Sequence, residues 1–293
     1  MIRKFVLALA AVCLMAASSS SIPANWTAPA TPLNVIGNIY YVGTEGLSSW
    51  LITGPKGHIL IDGGMPANAA LIEANVRALG FKMTDVKLIL NTHAHFDHAG
   101  GLAQLKKDAA KDVVLVSSVG DRWALEHGLY PGSEDVAAFA FPPVKVDATV
   151  VDGGSVSVGP NSLTAVLMPG HTAGCTSWLM TVKDPAGKPH KVLFFCSASV
   201  AANRLAPNPQ YPTIVADYQK TFARAGRIDP DIFLAPHAEQ FGLTAKRAAM
   251  GPGKPNPFIV PGEYAKAMAA YQAAFEAELA RQQGAAAAPK APK

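Results

Sequence analysis

Cysteine is scarce, with three residues in 293. That is too few to staple a small secreted module, so the fold has to rest on a hydrophobic core. Charge is thin too, at 16% of residues. No block of Lys and Arg interleaved with aromatics occurs, which excludes an extended nucleic-acid surface. The formal charge of +4 sits largely at the ends, in Arg3 and Lys4 at the front and Lys290 and Lys293 at the back, and the body between them is near zero. After the first 24 residues no apolar run approaches the roughly 20 residues that a membrane-spanning helix requires. What the chain does have is 49% hydrophobic residues, which fits a globular protein with one substantial core, or two similar halves closing over it.

Residues 1–24 have the order of a secretory signal peptide. Arg3 and Lys4 precede the apolar run Phe5–Ala17, and small residues follow. Cleavage is expected between residues 17 and 24, with Cys13 leaving in the leader. The AAV before Cys13 is a poor lipidation signal, so a soluble periplasmic product is expected. Residues 284–293, rich in Ala, Pro and Lys, are read as a disordered tail. Residues 25–283 are expected to form a single domain.

Within that domain, IYYVG, SSWLIT and HILID alternate with Gly-bearing turns and read as a meander of strands. Helical spacing runs from Ala67 to Leu79 and stops at Gly80. VKLILNT reads as a buried strand, HAHFDHAGGLAQLKK as a loop feeding a helix, and VVLVSS as another strand. A helix is expected over Asp121–His127, followed by a long connection over 129–148. Strand patterns then recur in VVDGGSVSVG, NSLTAVLMPGH, CTSWLMTV and HKVLFFCS, with helices over about 215–225 and 261–282. Strand-rich blocks followed by helices, twice over, suggest two mixed sheets packed together with helices outside.

The stretch NTHAHFDHAG concentrates the chemistry. It places His93, His95, Asp97 and His98 within six residues, at the end of a buried strand. Side chains repeat with period two near a strand end, so two imidazoles can be aimed the same way. His171 in LMPGHTAG and His237 in FLAPHAEQ each follow a strand and a turn, where functional groups commonly sit. His58, His127 and His190 have no such context and read as ordinary surface or strand-end residues. Six nitrogen and carboxylate donors without thiolate suit zinc, with iron or manganese less firmly excluded than in a thiolate site. Divided into two sites of three protein donors, each keeps an open position, which is catalytic stoichiometry. The chain therefore points to metal-assisted hydrolysis.

HAHFDHAG resembles the signature of the metallo-β-lactamase superfamily. Taken with YVGTEGLSSWLI, HILIDGG, PGHTAGCTSW, FFCSASV and APHAEQF, the body from about Ile36 to Arg281 is similar to the third subclass of class B β-lactamases. The resemblance implies an αββα sandwich of two mixed β-sheets with outer helices. It also implies two zinc ions per chain, the first on His93, His95 and His171 and the second on Asp97, His98 and His237. The implied activity is hydrolysis of the β-lactam amide bond of penicillins, cephalosporins and carbapenems by hydroxide held on zinc. Asp97 orients the nucleophile in such enzymes.

The segment Cys196-Ser197-Ala198-Ser199 separates relatives within the superfamily. Glyoxalase-type, lactonase-type and phosphodiesterase-type members carry an aspartate near this strand end that bridges both metals, and here there is none. The first β-lactamase subclass uses a cysteine ligand one position later, where this chain has Ser197. Ser197 and Ser199 become candidates for contacts to water and to the substrate carboxylate, with Ser197 also a candidate in catalysis, and Asn203 and Arg204 become candidates to line the groove. Cys175 and Cys196 come within disulfide geometry if their strands are antiparallel neighbours, and export permits oxidation; some relatives carry such a bridge. Ligation of metal by Cys196 is the rival reading. Trp50 reads as core. The expected partner is a small molecule, with no nucleic acid and no stable membrane insertion; a monomer is the default and the oligomeric state stays open. The alternative function is metal-dependent hydrolysis of a lactone or thioester.

Overall fold

The computed structural model describes residues 22–132, 134 and 136–287. The expected leader, up to residue 21, and the last six residues of the expected tail lie outside the described residues. Seven strands form the first sheet in chain order: β1 (Leu33–Ile36), β2 (Ile39–Tyr41), β3 (Trp50–Ile52), β4 (His58–Ile61), β5 (Val86–Leu90), β6 (Val114–Ser118) and β7 (Ala148–Val150). Strands β1 to β4 pair antiparallel and β4 to β7 pair parallel. The second sheet contains β8 (Ser155–Val158), β9 (Asn161–Leu167), β10 (Thr176–Lys183), β11 (Pro189–Phe194) and β12 (Ile232–Leu234), in the order β12-β11-β10-β9-β8. Its strands are antiparallel except for the β11–β12 pair.

The helices are α1 (Ala69–Ala78), α2 (Phe96–Ala99), α3 (Leu102–Asp108), α4 (Val119–His127), α5 (Ile214–Ala225), α6 (Leu243–Ala249) and α7 (Glu263–Ala287). The two-sheet sandwich with outer helices is the architecture expected from the sequence.

The apolar runs of the parallel strands are continuous because both of their faces are covered. Ile59 and Ile61 of β4, with Leu88 and Leu90 of β5, face the second sheet and pack in one cluster with Trp178 and Met180. The intervening Leu60 and Ile89 join Leu115, Ile72, Val76, Leu102 and Leu125 in a second cluster under α1, α3 and α4. A one-residue slip would exchange these faces. Both faces stay covered after such a slip, so the register is held by the close fit of each side chain against its own layer rather than by burial as such. On the other side Tyr218 and Phe222 of α5 pack with Phe275 of α7, the Tyr218 and Phe275 rings lying 4.8 Å apart.

Several boundaries differ from the sequence expectation. The first helix begins at Ala69 behind a 3-10 turn over Pro66–Asn68. The last begins at Glu263 rather than at residue 261, because Gly262 stands at a φ of 83° that no right-handed helix accepts. Helix α7 runs on to Ala287, so the expectation of disorder from residue 284 is corrected for the first four residues of that stretch. Alanine is the strongest helix former, and three of those four residues are alanine.

Chain direction places the site. Strands β4, β5 and β6 run parallel, so Asp62, Thr92 and Ser118 all emerge at one end of the first sheet. Strands β9, β11 and β12 share one direction in the second sheet, so His171, Ser197 and His237 emerge at one end there. The Thr176 N–H donates to the Thr92 carbonyl at 2.8 Å and joins those two ends.

Candidate metal centre

Two clusters of donors gather at this edge, His93 with His95 and His171, and Asp97 with His98 and His237. The donor atoms within each cluster lie within 4.8 Å of one another. Imidazole centroids are 5.0 Å apart for His93 and His95, 4.6 Å for His93 and His171, and 4.5 Å for His95 and His171. The His93 and His98 rings, at 4.4 Å, join the two clusters. The six residues singled out in the sequence are therefore brought together, in the expected two groups of three.

Local structure explains the convergence. Thr92 is held by the buried Asp62, whose carboxylate accepts from the Thr92 N–H at 2.7 Å and from the Thr92 hydroxyl at 2.5 Å. The Asn91 amide also donates to Asp62, at 3.0 Å. With the threonine proton committed to Asp62, the His93 Nδ1–H donates to Thr92 Oγ1 at 3.1 Å, and Nε2 is left to face the site. His95 precedes the single turn of α2, which carries Asp97 and His98. Close packing of that turn requires glycine: a Cβ on Gly101 would lie 2.3 Å from the Gly63 carbonyl oxygen. The His171 Nδ1–H donates to the Ser199 carbonyl at 2.7 Å, which turns Nε2 inward. His237 follows β12, with its Nε2 3.2 Å from His98 Nε2.

Electrostatics divide the donors. Burial lowers His171 and His237 to about 4, and the charge of His98 adds to the shift of His237. Burial also takes His93 and His95 well below the ordinary histidine value, with neighbouring imidazoles adding to it. Burial alone would raise the Asp97 carboxyl, but the charge and hydrogen bond of His98, at 3.2 Å, hold it well below the carboxylate range. Burial would likewise lower His98, and Asp97 more than offsets this, raising it. The result is four neutral imidazoles and an ionised carboxylate, as metal ligation needs, with His98 the one donor that Asp97 shifts toward its protonated form.

The donors fit a metal on structural grounds. His93 Nε2 and His98 Nδ1 are buried without a hydrogen-bond partner. A buried unsatisfied polar atom costs about 1–3 kcal/mol, and for His93 Nε2 a cation at the convergence of the rings removes that cost. Three donors in each group, nitrogen and carboxylate only, suit a catalytic di-zinc centre.

Beside the centre lies a cavity of about 510 Å³, lined by His95, Asp97, His171 and His237. Its apolar wall includes Trp26, Phe96, Tyr130 and Phe139. Phe96 stacks on Phe139 at 5.3 Å, and Trp26 lies 5.2 Å from the His237 ring. Ser199 and Asn203 line the cavity. Two expectations are corrected. Arg204 is exposed and is not among the lining residues, because its neighbour Asn203 turns inward to hydrogen-bond Tyr130 and the His171 carbonyl. Ser197 is buried beneath the surface, its Oγ 3.3 Å from Ser199 Oγ, so Ser199 is the serine that faces the cavity.

Cys175 and Cys196 form a disulfide, with Cα atoms 5.6 Å apart, which removes Cys196 from consideration as a ligand. Trp50 is buried in the core between Tyr41, Phe194 and Phe241. Sequence reading missed Asp62, Tyr130 and the aromatic wall. The Asp in HILIDGG was in plain view, but nothing local ties it to a threonine thirty residues on.

The family profile described as the metallo-beta-lactamase superfamily matches residues 42–184. The fold is similar to that of BJP-1, a subclass B3 metallo-β-lactamase of Bradyrhizobium japonicum. That match has 48% identity and a TM-score of 0.86 over 89% of this chain and 98% of that one. Native FEZ-1 metallo-β-lactamase from Legionella gormanii is 35% identical, with a TM-score of 0.82 over 87% and 98% of the two chains. Among curated proteins, the chain matches an acyl-coenzyme A thioesterase of Gallus gallus, 26% identical over 172 residues that make up 53% of this chain and 58% of the relative. The chain spans about a third to three fifths of the length of the curated relatives it matches.

Proposed function

The chain belongs to the metallo-β-lactamase superfamily, as a zinc-dependent hydrolase with a centre consistent with subclass B3-type enzymes, and from that premise we propose that it opens the β-lactam amide bond of penicillins, cephalosporins and carbapenems. The observation that carries this reading is the end of β11. The six-donor set is complete without it, Cys196 is bound in a disulfide, and Phe195–Val200 offers no carboxylate where the family resemblance implies a metal-binding aspartate in glyoxalase-type and lactonase-type members. Similarity to two β-lactamases over nearly their whole length supports the same substrate class.

Zinc, when bound, lowers the pKa of a coordinated water to about 7 and polarises a carbonyl oxygen. The chain's own residues do the rest. Asp97, ionised and within 3.5 Å of both His98 and His237, binds in the second cluster and orients the attacking water. The water's oxygen adds to the lactam carbonyl carbon, the C–N bond breaks, and a proton goes to nitrogen. Ser199 Oγ, supported from below by Ser197, donates to the substrate carboxylate. Trp26, Phe96, Tyr130 and Phe139 cover the apolar side chain of the substrate and exclude water. His171 is held in its tautomer by Ser199, so one short segment serves both metal and substrate.

A metal-dependent thioester or lactone hydrolase is the second reading, favoured by the match to a thioesterase. Turnover of a cephalosporin, a carbapenem, a glutathione thioester and an acyl-homoserine lactone, with and without chelator, separates the two. Chelator-sensitive β-lactam turnover is expected to dominate, and rapid thioester or lactone hydrolysis without β-lactam turnover would replace our reading with the second. We also propose that the chain is exported with loss of its leader. The Cys175–Cys196 disulfide supports this, since such bonds persist in oxidising compartments. Intact mass of periplasmic material should show a start between residues 18 and 25.

A further inference from the structure

Asp121 lies outside both donor clusters, is 3% exposed, and has no Lys or Arg partner among the described residues. Its carboxylate is spent on two segments distant in sequence. Oδ2 accepts from the Ala94 N–H at 3.0 Å, and Ala94 stands between His93 and His95. The same oxygen accepts from the Thr172 hydroxyl at 2.8 Å, next to His171. Oδ1 accepts from the Gly174 N–H at 2.8 Å, three residues beyond His171.

The backbone is shaped for this approach. A Cβ on Gly174 would lie 2.3 Å from the Asp121 N and 2.7 Å from its Cγ. A Cβ on Gly120 would lie 2.5 Å from the Ala173 carbonyl oxygen. Glycine on both sides lets the first turn of α4 lie against the loop that carries His171, and Ser118 Oγ donates to the Gly174 carbonyl at 2.7 Å.

We infer that Asp121 is a positioning residue of the three-histidine site, the one that ties the segment of His93 and His95 to the loop of His171 so that three imidazoles from two sheets meet at one point. None of its bonds reaches the segment of Asp97 and His98 or that of His237, so its influence is confined to one of the two sites. A buried carboxylate is costly without a cation. A divalent ion on the three histidines supplies that positive charge, and the carboxylate in turn favours the ion. The inference rests on the metal centre and not on the identity of the substrate.

The test is zinc binding at each site separately. In an H237A background the three-histidine site is the intact one, and in an H171A background the Asp97 site is. D121N keeps the shape but replaces one acceptor oxygen with a donor amide, setting donor against donor at one end of the tie. It should weaken zinc binding about 10–100-fold in the H237A background and leave the affinity unchanged in the H171A background. T172V, which removes one donor and leaves the carboxylate, should give a smaller loss confined to the same background. If D121N proves too unstable to measure, T172V decides. A merely structural residue would lower thermal stability and weaken both sites alike. Equal losses in the two backgrounds, or none in the H237A background, would overturn the assignment, whatever the protein hydrolyses.

Discussion

Replacing both Cys175 and Cys196 by Ala opens a loop of sequence separation 21. The loop-closure relation assigns such a cross-link an entropy near −11 cal/mol/K in the unfolded chain, or about 3.3 kcal/mol of stability at 25 °C. Both residues are buried, so the lost sulfur contacts add to that figure. The effect lies mainly in the unfolded state. In the folded state the β9–β10–β11 pairing continues to hold the two strand ends together. The double variant should therefore lose at least about 3.3 kcal/mol, unfold with a steeper denaturant dependence, and still bind two zinc ions. The assay is urea unfolding of metal-depleted wild type and double variant, because bound zinc would add its own linkage to any difference. Zinc stoichiometry is measured on the same preparations. A loss below about 1 kcal/mol with unchanged slope would refute the loop-closure reasoning. Loss of one zinc would show that the bridge shapes the folded site.

Other outcomes follow from the donors. His98 is raised by Asp97 while the three histidines of the other cluster are lowered. Zinc must therefore displace a proton at the second site but not at the first. Across neutral pH the second site should bind more tightly as pH rises and the first should stay flat, and calorimetry in buffers of different ionisation enthalpy counts the protons released. Equal proton release at both sites would contradict these shifts. D97N should fold yet lose about 10²–10³-fold in turnover together with second-site metal, checked by metal analysis and kinetics on one sample; near-wild-type turnover would remove Asp97 from the mechanism. S197A should cost at most about tenfold in turnover, because two long, neutral hydrogen bonds with Ser199, one to its hydroxyl and one from its N–H, are all it removes.

The six donors could be read from the sequence because the chemistry is compressed. Four ligand types fall within six residues, and His171 and His237 each follow an apolar strand and a turn. The two-sheet plan was equally open to reading, since strand and helix periodicities differ and several of the blocks are set off by Gly, Pro or Asp. Other features depended on contacts between distant segments. Asp62 and Asp121 look like ordinary turn and helix carboxylates until the strand ends bring Thr92, Ala94 and Gly174 against them. Arg204 and Asn203 are neighbours in sequence with nothing to distinguish them. Only the inward turn of Asn203 toward Tyr130 sends one to the cavity and the other to solvent. The aromatic wall draws Trp26, Phe96 and Phe139 from three separate segments. The kind of chemistry is thus written locally, in side-chain identity and spacing. The supports of the ligands and the shape of the substrate's enclosure are products of long-range packing, because a hydrogen bond or an aromatic contact between remote residues leaves no periodicity in either partner's own stretch of chain.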